Sequence, residues 1–76
     1  MPLAAVRLAE IERIFAILDR LGLSREAVVI PLRPVHPGGV RVLPSGKLEI
    51  RVESETPLED WLPELERLLV TIRTGG

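Results

Sequence analysis

The stretch VRVLPSGKLEIRVE, residues 40–53, decides how this chain folds. Val40 and Val42 flank Arg41, and Leu48, Ile50 and Val52 alternate with Glu49 and Arg51, the two-residue period of strands with one apolar face. Between the runs lies Pro44-Ser45-Gly46. A three-residue hairpin loop is a type I turn closed by a left-handed residue, and Gly46 stands where that residue is needed. The turn then pairs Leu43 with Lys47, Val42 with Leu48, Arg41 with Glu49 and Val40 with Ile50. Every apolar pair falls on one face and the ion pair on the other, whereas a slip of one residue would scramble both faces.

Upstream, AVVIPLR (27–33) reads as a further strand with Val28, Ile30 and Leu32 on one face. Pro31 has no N–H for a ladder, which places this strand at a sheet edge. RPVHPGGVR (33–41) follows, and two prolines with two glycines make it a bend.

Both ends of the chain read as helices. Over residues 3–21, Leu8, Ile11, Phe15, Leu18 and Leu21 recur at three- and four-residue spacing, with Arg7, Glu10, Arg13 and Arg20 opposite. Gly22 stands where a left-handed cap is wanted. The apolar stripe is wider than one small sheet requires, and Val6, Ile14 and Ile17 are the expected contacts to a second copy of the chain. Over residues 56–72, Leu58, Trp61, Leu62, Leu65, Leu68, Leu69 and Ile72 form a stripe. Thr56 and Glu59 have the spacing of a capping box, with Pro57 in the first turn, and Pro63 predicts a kink or a later start of the main helix.

The expected fold is therefore α+β, in the order α-β-β-β-α, a three-stranded antiparallel meander with both helices on one face. Its 76 residues make one domain, 1–76. A domain this size buries roughly 60% of the surface its unfolded chain exposes. With Phe15 and Trp61 its sole aromatics, the core must be aliphatic.

Composition excludes several chemistries. Without cysteine there is no disulfide, thiolate zinc site or thiol nucleophile. His36 is the single histidine, so a histidine metal site lacks its partners, and neither metal nor cofactor is expected. As a general base His36 would need an orienting carboxylate, which sequence does not place. The carboxylates Glu55, Glu59, Asp60 and Glu64 suit a helix N-terminus better than a magnesium site. No run approaches the roughly 18 apolar residues of a membrane span, and acids at Glu10 and Glu12 argue against a secretory leader. A cytoplasmic location is expected. Nine arginines against one lysine, with no Asn, Gln or Cys, suit a heat-adapted source.

The element order is similar to that of the double-stranded-RNA-binding domain. That family grips phosphates with lysines at the start of its second helix, where this chain reads TPLEDWLPELE (56–66). The tail TIRTGG resembles the diglycine end of ubiquitin-like carriers at Gly75 and Gly76 alone, and a chain that begins with a helix does not fit that family's fold.

The functional expectation is a small non-catalytic interaction module, a homodimer or a binder of another protein, with no membrane and no nucleic acid engaged. The alternative is an anionic ligand or nucleic acid held on the outer sheet face by Arg33, Arg41, Lys47 and Arg51, with His36 at the rim.

Overall fold

A computed structural model describes residues 5–75, with side chains as far as Arg73. The first residues of the expected helix, 3 and 4, lie outside the described residues, as does Gly76 of the diglycine pair. The elements are α1 (Leu8–Arg20), a 3-10 turn (Arg25–Ala27), β1 (Val28–Val29), β2 (Gly39–Val42), β3 (Leu48–Arg51) and α2 (Leu58–Gly75). No helix among the described residues is long and apolar enough to cross a membrane.

The hairpin has the expected register. Val40 faces Ile50, Arg41 faces Glu49 and Val42 faces Leu48. The Leu43 N–H reaches the Lys47 carbonyl at 2.7 Å, and Gly46, at φ +90°, closes the turn onto the Leu43 carbonyl at 2.9 Å.

The meander is corrected. The sheet order is β1-β3-β2, with β1 parallel to β3. The long first strand is also corrected, because β1 holds just two residues, with Val28 opposite Leu48 and Val29 opposite Glu49. Pro31 and Pro34 have no N–H to give, so the chain leaves the ladder there. It returns at Val35, which bridges Glu53 through Val35 N–H to the Val52 carbonyl (2.9 Å) and Ser54 N–H to the Val35 carbonyl (2.8 Å). From Val28 to Val35 the chain thus climbs one edge of β3. It crosses the end of β3 at residues 36–38 and descends the other edge as β2. This arrangement separates the fold from the meander that the element order suggests.

The crossing is tight. A Cβ on Gly38 would lie 2.6 Å from the Glu53 nitrogen and 2.7 Å from the Arg51 carbonyl oxygen, both backbone atoms that cannot swing aside. Glycine is required here for close approach rather than for an unusual φ.

α1 starts later than expected because Val6 is used elsewhere. Its N–H donates to the Leu32 carbonyl at 2.9 Å and its side chain is buried, which holds residues 5–7 out of the helix. The Glu10 carboxylate accepts the Arg7 N–H at 3.1 Å and closes the helix start. The other end is the expected glycine cap. Gly22 at φ +75° donates to the Asp19 carbonyl and Leu23 to the Leu18 carbonyl, the paired bonds of a Schellman motif. α2 is one continuous helix with Pro63 inside it, and the Pro57 carbonyl accepts its first bonds from Asp60 and Trp61. Pro57 therefore stands at the cap, one place earlier than expected, and the main helix does not begin at Pro63.

The core joins both helices to one face of the sheet: Val6, Ile14, Ile17 and Leu18 with Ile50, Val52, Trp61, Leu65 and Leu69. This turns α1 from its expected orientation. Leu8, taken for a core residue, is 70% exposed, while Ile14 is fully buried. Val6, Ile14 and Ile17, the residues expected to meet a second copy, lie in the subunit's own core and have little surface left to share. The apolar stripe covers about half of the helix, so periodicity alone does not choose which part of it is most buried.

The tight crossing gives a direct test. Gly38→Ala should destabilise the protein by about 2–3 kcal/mol, the range for forcing an extra carbon into a packed site. Gly39→Ala, where an added Cβ meets nothing within 4 Å, should cost much less. Urea unfolding of the two variants compares them directly, and equal midpoints would contradict the crossing.

Candidate functional site

The strand alternation that sends Glu49 and Arg51 outward also sends Glu53 outward, yet Glu53 is 5% exposed. The crossing segment covers it. A buried carboxylate is costly unless its oxygens are hydrogen-bonded, and here they are. Oε1 accepts the Gly38 N–H at 2.9 Å. Oε2 accepts the Glu55 N–H at 2.7 Å and lies 2.6 Å from His36 Nδ1. Among the described residues no buried side-chain polar atom is left without a partner.

Burial alone would push the Glu53 carboxyl up. The bonds from Gly38, His36 and Glu55, with the charge of His36, outweigh it and bring the pKa down to about 2. The His36 imidazole moves the other way. Its hydrogen bond to Glu53, with the charges of Glu53 and Glu55, raises it above its ordinary 6.5 against a smaller opposing effect of burial. Because Glu53 is ionised at neutral pH, the Nδ1 proton must belong to His36. The ring is thereby held in one orientation, with its side chain 59% exposed and Nε2 without a protein partner among the described residues. The His36–Pro37 peptide bond is cis.

The structure brings together some of the basic residues expected here. Arg51 precedes Glu53 by two places on one strand, so the two share a face. Arg41 Nε donates to Glu49 Oε1 at 2.7 Å, and Arg51 Nε lies 3.8 Å from the same oxygen. His36, Arg51 and Arg41 thus form one group, interleaved with Glu53 and Glu49. Lys47 does not join it: it stands beyond the hairpin end of β3, about 13 Å from Arg51 at the usual strand rise. Arg33 is exposed in the segment leading to the crossing and has no ion pair among the described residues.

Glu53 is not among the residues that the sequence singles out. The available signal was an acid at the outward position closing a strand, within a chain holding one histidine in a Pro-Gly-Gly bend. Nothing in that signal says the bend folds over the acid.

The pair can bind an anion through the charged ring or pass a proton through Nε2 when the ring is neutral. The neighbouring Ser54 hydroxyl is directed to Glu55 at 3.4 Å. Among the described residues no group of three or more His, Cys, Asp or Glu side chains could hold a metal ion. Set against protein-family models, curated proteins and solved structures, the chain matches none.

The two shifts predict a stability plateau. A lowered carboxyl contributes stability that is present above its unfolded value of 4.5 and lost as pH falls toward about 2. A raised imidazole contributes stability that is present below 6.5 and lost as pH rises through its folded value. Melting temperature should therefore be flat between about 4.5 and 6.5 and fall on either side. Glu53→Gln should flatten both limbs and return the His36 titration, followed by NMR, toward 6.5. Unchanged limbs in that variant would show that the pair does not govern them.

Proposed function

We propose that the protein is a small binding module that takes an anionic group, a phosphate or carboxylate, on the outer face of its sheet. The observation that carries this reading is the imidazole of His36 fixed by a buried carboxylate, with Nε2 exposed and Arg51 on the same face. Orienting a donor in advance lowers the entropy lost when a ligand binds. Arg51 and Arg41 add charge, and their shared contact with the half-buried Glu49 leaves their exposed guanidinium groups able to turn to a ligand. A long single-stranded nucleic acid fits poorly, because Phe15 and Trp61 both lie on helices and Trp61 is in the core, leaving no stacking ring on this face.

Titration with inorganic phosphate, followed by amide NMR shifts at pH 6, tests the proposal. Shifts should concentrate at His36, Gly38, Gly39 and Arg51 and weaken as salt or pH rises. His36→Gln should weaken binding about tenfold, the loss of one charge-assisted hydrogen bond of about 1.5 kcal/mol. Shifts spread evenly over the surface, or an affinity indifferent to salt and to this substitution, would overturn it.

A further inference from the structure

On the side of the helices away from the sheet, α1 and α2 leave a groove of about 680 Å³. Its apolar lining is Ala16, Leu62, Pro63 and Val70, together with the edge of the core residue Ile17. Its Thr71 hydroxyl is committed to the Arg67 carbonyl at 2.9 Å, within its own helix.

The charges sit at the rims, and they divide by helix. α1 supplies Arg13 and Arg20, and α2 supplies Glu59, Glu66 and Arg67. Arg20 pairs with Glu66 across the groove, and Arg67 pairs with Glu64 along α2. Arg13 and Glu59 are left, opposite in sign, on opposite helices, and without an ion pair among the described residues. A surface with an apolar centre and an unpaired charge of each sign is complementary to a copy of itself turned by a two-fold axis, because such an interface sets residue i against j and j against i.

We infer that this groove is a self-association surface, covered by the same groove of a second copy, with Arg13 of each subunit against the partner's Glu59. The dimer is then a four-helix layer between two sheets. The outer sheet faces, with His36 and Arg51, point away from each other and remain open. The inference does not depend on anion binding. The face differs from the one that the periodicity of α1 suggests: Val6, Ile14 and Ile17 are all spent in the core, and the exposed Ala16, with Pro63 and Val70 of α2, takes their place.

Sedimentation equilibrium from about 5 to 500 μM should show a monomer–dimer equilibrium, the range in which small interfaces act. Ala16→Glu, at an exposed helical position, should weaken association about tenfold or more by placing a charge in an apolar contact, equivalent to about 1.4 kcal/mol. Arg13→Glu alone and Glu59→Arg alone should each weaken it, and the two together should restore it. Circular dichroism checks that each variant is folded, and unchanged phosphate titration in Ala16→Glu separates this surface from the outer sheet face. A monomer throughout the range overturns the inference, even if it captures an amphipathic peptide or a detergent micelle. So does an Ala16→Glu variant that associates like the parent, or a double charge reversal that fails to recover what the single reversals lose.

Discussion

The carboxylate of Glu53 is the constraint on which the arrangement depends. A carboxylate taken out of water loses several kcal/mol of solvation, and the loss is tolerable only where donors replace the water. Here two of the donors, the ring of His36 and the backbone of Gly38, come from the crossing segment, distant along the chain, and the third is the backbone of Glu55 just beyond β3. The first two fix the crossing against the end of the central strand, and the third fixes the turn that follows it. Lifting the crossing would break the bonds from Gly38 and His36 and return the acid to water, and β3 cannot slip without moving the charge from its donors. One acid thus couples the path of the connection to the register of the sheet.

That coupling matters because the rest of the molecule is small. Among the described residues nine buried apolar side chains form the core, and the chain has no cysteine for a disulfide to reinforce them. The surface ion pairs, Arg25 with Asp19 and Arg67 with Glu64 among them, join exposed side chains and contribute little each. Specificity for this topology over a simple meander must come from features that a meander would not satisfy. A meander would leave Glu53 on an open sheet face in water, with no use for a glycine at position 38. The bare backbone at Gly38 and the acid it covers make sense together in the crossed form alone.

The parts legible in the sequence are those that local chemistry determines. The hairpin could be read to the residue because a turn with Gly46 at its left-handed position and an alternating pattern agree on one register. The cap at Gly22 was readable for the same reason. Strand order was not, because the alternation of Val28 and Ile30 is satisfied equally well beside β2 or beside β3, and the choice rests on contacts between residues far apart in sequence. The centre of the buried side of α1 was not readable either, since Ile11, Ile14, Phe15, Ile17 and Leu18 make a stripe about half the helix wide. Of the site, His36, Arg41 and Arg51 were visible as a basic outer face. Glu53 was not, because solvent exposure of a charged residue is the default and its burial depends on a fold the sequence had not yet revealed.

The same physics separates what His36 contributes from what the arginines contribute. Arg41 and Arg51 share Glu49 through exposed contacts, so their positive field is partly cancelled and further weakened by salt. Such groups attract an anion without saying where it must sit. His36 has less freedom: its Nδ1 proton is pinned to Glu53, so Nε2 points from a fixed ring, and the charge of that ring depends on pH. Nearby Glu53 also offsets the charge of the ring, so the imidazolium adds little net attraction at a distance. What the pair supplies is direction at contact. A ligand with one well-placed acceptor oxygen gains from that direction, whereas a diffuse polyanion gains almost nothing from it, and this favours a compact anionic group over an extended chain as the occupant of the outer face.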